Sequence, residues 1–163
     1  MHQHISITSL ALLPAALLAY GCATAAVRDN WPPLPSRLNV VTPYGTLDIK
    51  SHGYIYEARL QIDNTEIAPP IEGLLNITYA LNLPHAKAAL VSINDGSDRC
   101  PISFRWVILR STGYTVSPAF GSCSTRIKVS IKGRRLYLQT PNYQKPDKMD
   151  VYIYDGKTLK QRH

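Results

Sequence analysis

Apolar and polar side chains alternate in short runs along the chain after residue 38, as they do in strands that bury one face. In the clearest run, residues 75–83, every second side chain from Leu75 to Leu83 is apolar or aromatic. The same period of two recurs in residues 54–62, 127–131 and 136–138. Residues 88–93 form a short apolar run, and residues 104–109 are typical of a more buried strand.

Turn-forming residues separate these runs, as at Asp63-Asn64-Thr65, residues 94–98, Gly133 and Asp155-Gly156. Short connections favour antiparallel pairing, because parallel strands need long crossovers. No segment after residue 37 repeats its apolar residues at helical spacing. The pattern predicts a mostly β fold, an antiparallel sandwich or partly open barrel of about eight to ten strands.

The beginning of the chain has a different composition from the rest. The first 27 residues contain no Lys, Arg, Asp or Glu, and residues 10–19 are an unbroken apolar run. Ten helical residues are about 15 Å long, half of a hydrocarbon core of about 30 Å. A signal peptide over residues 1–25 therefore fits this segment better than a membrane-spanning helix does.

Two cleavage sites are compatible with this signal peptide. Ala19-Tyr20-Gly21-Cys22 resembles the lipobox of bacterial lipoproteins, in which the Cys becomes the lipidated first residue. Ala23-Thr24-Ala25 has the form of an ordinary signal-peptidase site, with cleavage after Ala25. The first alternative predicts a lipoprotein anchored to the outer membrane through Cys22, and the second predicts a periplasmic protein. Neither places the chain in the cytoplasm.

A tether and a single domain follow the signal peptide. Residues 26–37 include Trp31-Pro32-Pro33-Leu34-Pro35 and are expected to form an extended, Pro-rich tether. Residues 38–163 are expected to form one β domain, because a chain of 163 residues with 45% hydrophobic composition is of single-domain size.

Three cysteines are present, and Cys22 is either lipidated or removed with the signal peptide. Exported domains with two remaining cysteines usually pair them, which predicts a Cys100–Cys123 disulfide. Loop entropy would make this bond worth about 3 kcal/mol.

Charge is distributed unevenly along a chain whose net charge is +7. Residues 28–98 hold five basic and eight acidic side chains, whereas residues 99–163 hold thirteen basic and three acidic ones. Such asymmetry indicates a basic surface with an acidic partner. Outside the cytoplasm that partner is expected to be a protein rather than nucleic acid, although an anionic lipid or a polyanionic glycan has the same charge.

The best candidates for this surface lie in one predicted hairpin, with its apolar face inward and its cations outward. Tyr137 of the same hairpin is included among the candidates, because tyrosine is enriched at protein interfaces. The candidate binding residues are Arg126, Lys128, Lys132, Arg134, Arg135 and Tyr137.

Motifs for catalysis and metal binding are missing from the sequence. His52, His85 and His163 are far apart and have no Cys or acidic partner at metal-ligand spacing. The sequence contains no G-x-S-x-G, H-E-x-x-H, Walker A or C-x-x-C motif. We therefore expect no metal, no cofactor and no enzymatic activity, while an active site assembled from dispersed residues is an alternative.

Three segments of the last 65 residues carry a resemblance: Cys100-Pro101, Phe120-Gly121-Ser122-Cys123-Ser124, and residues 151–157 with the sequence VYIYDGK. Together they resemble small exported proteobacterial proteins. The resemblance implies a location in the bacterial envelope and a shared β fold, and it brings no catalytic residue with it.

These features favour a binding protein of the bacterial envelope that holds an acidic protein on a basic, Tyr-bearing surface. One form of this hypothesis is an inhibitor of, or an immunity protein against, a periplasmic enzyme. The alternative is a structural or accessory lipoprotein of a secretion or surface assembly, for which the tether would matter more than the surface.

Overall fold

The computed structural model describes residues 30–51 and 57–162. Twelve strands make up the regular structure of these residues. Their bounds are β1 Asn39–Thr42, β2 Gly45–Ser51, β3 Ala58–Ile62, β4 Thr65–Glu66, β5 Leu74–Leu83, β6 Ala86–Asn94, β7 Ser103–Arg110, β8 Gly113–Val116, β9 Lys128–Lys132, β10 Arg135–Pro141, β11 Met149–Tyr154 and β12 Leu159–Arg162.

The strands form three antiparallel sheets of four, each made of consecutive strands. We call them the N-terminal sheet (β1–β4), the central sheet (β5–β8) and the C-terminal sheet (β9–β12). Tight turns produce this order, because a two-residue connection returns the chain beside the strand it has just left. Asp63 and Asn64, for example, connect β3 to β4 with φ angles of 48° and 65°, the left-handed region that Asp and Asn tolerate.

The central sheet lies between the other two, so the domain is a three-layer β sandwich. Strands β6 and β7 are buried on both faces, and their successive side chains enter two different clusters. Leu90 and Trp106 pack against the C-terminal sheet, whereas Val91 and Val107 pack against the N-terminal sheet. Two-sided burial explains why these strands are apolar at nearly every position.

A disulfide joins Cys100, before β7, to Cys123, in the segment that leads to β9. Nearby, Phe104 and Phe120 pair their backbones with N–O distances of 2.7 and 2.9 Å. Gly121 follows with a φ of 124°, and a Cβ there would come within 2.9 Å of the Phe104 ring. The bond and this close approach fix the connecting segment to the central sheet before the chain enters the C-terminal sheet.

The structure confirms the predicted antiparallel β sandwich and the Cys100–Cys123 disulfide. It has twelve strands rather than eight to ten, because β1 and β2 precede the first run whose alternation is clear and β4 has only two residues. The predicted signal peptide, both cleavage sites and Cys22 lie outside the described residues. Residues 54–56 of the predicted strand 54–62 also lie outside them. No helix in residues 30–51 or 57–162 is long and apolar enough to cross a bilayer.

Candidate functional site

The outer face of the C-terminal sheet consists of the side chains that alternate with its core residues. In β10, Leu136 and Leu138 are fully buried, so the side chains between and beside them point outward. We call this surface the basic face. Strand by strand, it comprises Lys128, Ser130 and Lys132 of β9, Arg135, Tyr137 and Gln139 of β10, Val151 and Ile153 of β11, and Lys160 and Arg162 of β12.

Cations occupy the two edge strands of the basic face and one end of the inner strand β10, and uncharged side chains occupy the rest of its middle. Lys132 lies opposite Arg135 across β9 and β10. On the other edge, Lys160 of β12 lies opposite Ile153 of β11. Tyr137 is the register partner of Ile153, so an apolar and aromatic stripe lies between the β9 cations and the β12 cations, with Arg135 at one end of it. A surface with this order can bind an acidic partner that also has an apolar centre.

The cations of the basic face form no ion pair with a carboxylate of the described residues, and their one acidic neighbour is Asp155. Within residues 30–51 and 57–162, no carboxylate forms an ion pair with Lys128, Lys132, Arg135, Lys160 or Arg162. The Lys132 ammonium instead lies 5.7 Å from the centroid of the Tyr137 ring. Because exposed charges of one sign add their potentials, this surface attracts anions.

A shallow hollow of about 150 Å³ lies on the β12 side of the basic face. Arg135, Lys160 and Arg162 line it together with Ile153 and Asp155. Backbone N–H groups of residues 158 and 157 donate hydrogen bonds to the Asp155 carboxylate, and they lower its pKa. The hollow therefore has three cations and one carboxylate that is already engaged by its own turn.

The opposite outer surface, on the N-terminal sheet, differs from the basic face because its cations form ion pairs. Lys50 lies 2.9 Å from Asp48, and Arg59 lies 2.8 Å from Glu72 and 3.4 Å from Glu66. Both cations are thus paired with carboxylates. The two outer layers of the sandwich differ in charge, which gives the domain one acidic side and one basic side.

The described part of the predicted tether, residues 30–37, lies against the domain. Leu34 packs on the core between the central and C-terminal sheets. Arg37 pairs its backbone with Ile77 of β5, with N–O distances of 3.2 and 2.9 Å. Trp31 lies beside the basic face, where the Lys128 ammonium is 4.7 Å from the centroid of its ring. The chain therefore enters the domain next to this surface.

The structure brings four of the six predicted binding residues together: Lys128, Lys132, Arg135 and Tyr137 share the basic face. Arg126 is exposed and precedes β9 by two residues. Arg134 lies in the β9–β10 turn and lines a groove between two sheets rather than the basic face. Arg134 was expected on the same surface as the other cations. It lies elsewhere because a turn residue does not continue the inward–outward alternation of the strands that flank it.

Sequence reasoning missed two cations of this surface, Lys160 and Arg162. They belong to β12, whose sequence LKQR contains a single apolar residue and so has no visible alternation of burial. Their spacing of two residues, directly after the Asp155-Gly156 turn, is the signal that could have identified them.

A buried polar cluster lies beside the disulfide. Ser122 donates a hydrogen bond to the Asp150 carboxylate, and both side chains are at most 6% exposed. Asn142 donates to both Asp150 oxygens at 3.0 Å, and Tyr152 lies 3.0 Å from the Ser122 hydroxyl. The cluster joins the segment after Phe120 to β11 by hydrogen bonds between side chains.

No group of three or more His, Cys, Asp or Glu side chains within the described ranges is arranged to hold a metal ion. Comparison of the chain with protein-family models, with curated proteins and with solved structures gives no match.

Proposed function

We propose that the chain is a non-catalytic binding protein of the bacterial envelope that holds an acidic protein on the basic face. The observation that carries this proposal is an outer sheet surface with five cations, none of them ion-paired within the described residues, beside a stripe of Tyr137, Val151 and Ile153. A location in the envelope is supported by the disulfide, because disulfides persist in oxidising compartments.

The chemistry of the face determines the kind of partner. Its cations attract a surface rich in Asp and Glu and raise the association rate. Its central stripe gives apolar contact area, which supplies more of the affinity than exposed ion pairs do. The partner therefore has an apolar or aromatic centre surrounded by carboxylates.

A rigid β sheet is suited to an inhibitory role. Because the outer side chains project from strands held by a packed core, little conformational entropy is lost on binding. An inhibitor of a periplasmic enzyme, or an immunity protein against one, needs such a pre-formed surface and no chemistry of its own.

Capture from an envelope extract tests the proposal. The full chain is immobilised beside the variant K128E/K132E/R135E, and bound proteins are identified by mass spectrometry. The variant K145E/K148E/K157E is the matched control, because it reverses three exposed cations outside the basic face. We expect one acidic partner, whose affinity falls about 100-fold in the first variant and less than about threefold in the control.

The dependence on salt provides a second criterion. Attraction between exposed charges is screened over about 8 Å at physiological ionic strength, so affinity should fall as salt is added. A partner that binds both variants equally, or that binds independently of salt, would contradict the assignment of this surface.

A further inference from the structure

A second concave site lies where the central and C-terminal sheets meet, next to the hollow of the basic face, with which it shares Asp155. We call it the inter-sheet groove, and its volume is about 300 Å³. Its floor is apolar and includes Leu83, Ala86 and Ile108. Its polar lining comes from both sheets and comprises His85, Arg110, Arg134 and Asp155.

Contacts with β8 and with the β11–β12 turn hold the Arg110 guanidinium in place. Its Nη1 donates a hydrogen bond to the Thr115 hydroxyl at 3.3 Å. Its Nη2 lies against buried Gly156, where a Cβ would come within 3.2 Å of that nitrogen. No carboxylate in the described ranges forms an ion pair with Arg110, so its other N–H groups are available to a ligand.

His85 occupies a backbone position that favours glycine. It is the second residue of the two-residue turn Pro84-His85, which connects the paired residues Leu83 and Ala86. Its φ is 56°, a conformation that most L-residues adopt at a cost and that Gly adopts freely. An imidazole at this position lines the groove despite that cost, as strained residues at binding sites often do.

Asp155 reduces the positive charge of the groove without closing it. Its Oδ1 accepts hydrogen bonds from the backbone of Lys157 at 2.9 Å and Thr158 at 2.7 Å. The carboxylate is therefore directed to its own turn. Arg110 and Arg134 approach from different sheets, and low-dielectric walls between them strengthen their combined field.

From this geometry we infer that the inter-sheet groove binds a phosphate monoester joined to an apolar group. Guanidinium groups match phosphate oxygens in a bidentate manner, and a dianion complements two arginines. The apolar floor holds the organic part of the ester. A soluble ester and a lipid headgroup share this chemistry, and the experiment distinguishes them. The inference does not depend on the function proposed for the basic face.

Calorimetric titration of the full chain with hexyl phosphate tests the inference, with hexanol and inorganic phosphate as partial ligands. We expect hexyl phosphate to bind at least about tenfold more tightly than either, because only the ester contacts both the arginines and the apolar floor. The variant R110Q/R134Q should lose at least about tenfold in affinity. The control K145Q/K148Q removes the same charge from the loop at the opposite end of the C-terminal sheet, and it should bind as the unchanged chain does.

Two single variants keep the test decisive if R110Q/R134Q fails to fold. Arg134→Gln alters an exposed turn residue, and His85→Gly relieves the positive φ. Arg134→Gln should retain the melting temperature of the unchanged chain, His85→Gly should retain or exceed it, and both should lose affinity for hexyl phosphate. Equal affinity in these variants and in the unchanged chain would overturn the inference, as would an equal loss in K145Q/K148Q.

Sedimentation with phosphatidylcholine vesicles that contain phosphatidic acid identifies the source of the ester. Arg134-dependent binding to these vesicles would assign the groove to a lipid headgroup. Binding of hexyl phosphate without vesicle binding would assign it to a soluble ester. Binding of neither probe would refute the site.

Discussion

The hydroxyl of Ser122 donates a hydrogen bond to the carboxylate of Asp150, across 28 positions of sequence. Ser122 has one hydroxyl hydrogen, so the Tyr152 hydroxyl, 3.0 Å away, must donate to Ser122. Two hydrogen bonds, from Tyr152 to Ser122 and from Ser122 to Asp150, therefore connect β11 to the residue before Cys123. The cluster keeps the C-terminal sheet, and hence the basic face, in a fixed position on the central sheet.

Replacing Asp150 with Asn should destabilise the domain by about 2 kcal/mol, because one carboxylate oxygen becomes an amide donor beside the Asn142 amide. Urea unfolding followed by circular dichroism measures the change. Asp147→Asn, at an exposed position in the preceding loop, is the control and should change stability by less than about 0.5 kcal/mol. Equal stabilities of the two variants would show that the cluster is not structural.

Removing the disulfide should cost about 3 kcal/mol, because the bond closes a loop with a sequence separation of 23. The double variant C100S/C123S removes both cysteines of the bond, so neither remains as an unpaired thiol. Its midpoint of urea unfolding should fall relative to that of the unchanged chain, and reductant should shift the unchanged chain to the same value. If reductant had no effect on the unchanged chain, the bond would not contribute to stability.

Stability should decline at alkaline pH. Burial raises the pKa of Tyr152 and of Tyr154 above the ordinary value of 10.0, and these side chains are 6% and 2% exposed. Because the folded-state pKa exceeds the unfolded one, the contribution is complete below pH of about 10 and is lost as pH rises through the folded-state pKa. Urea unfolding at a series of pH values measures the decline.

Tyr154→Phe should reduce this alkaline decline, since one ionisable buried phenol is removed. Tyr143→Phe is the matched control, because Tyr143 is 62% exposed and its phenol is not buried in the fold. An unchanged pH dependence in Tyr154→Phe would contradict the account of these buried hydroxyl groups.

Leu34 should behave as part of the domain although it lies in the Pro-rich segment. It packs on the core between the central and C-terminal sheets, so Leu34→Ala should cost about 2 kcal/mol. Leu38→Ala, at a position that is 59% exposed, should change stability by less than about 0.5 kcal/mol. Thermal unfolding of the two variants compares them, and equal melting temperatures would mean that residues 30–36 do not contribute to the fold.

Local patterning predicted the strands of the fold but not how its layers are arranged. The alternation of Lys128, Lys132 and Arg135 with apolar neighbours was sufficient to predict a hairpin with an outward basic surface. The apolar run of residues 88–93 indicated burial, but sequence could not show that this strand has a sheet on each side. That arrangement depends on contacts between distant segments, which have no local signal.

The sequence predicts the basic face better than the inter-sheet groove, because only the basic face is formed by residues that are close in sequence. Four residues of the basic face share one hairpin, and alternation locates them. Arg110 and Arg134 are 24 positions apart in sequence and meet only because two sheets pack together. The sequence therefore could not predict the inter-sheet groove, which forms where the end of β7 lies beside the β9–β10 turn.

Site-specific photocrosslinking in cells tests whether the basic face holds an acidic protein. A photoreactive residue replaces Ser130, which lies beside Tyr137 on the basic face, or Gln61, which lies on the opposite outer surface. We expect one adduct with an acidic protein from position 130 and none from position 61, and the adduct should disappear in K128E/K132E/R135E. Adducts of equal yield from both positions, or an adduct at position 130 that survives charge reversal, would contradict the account.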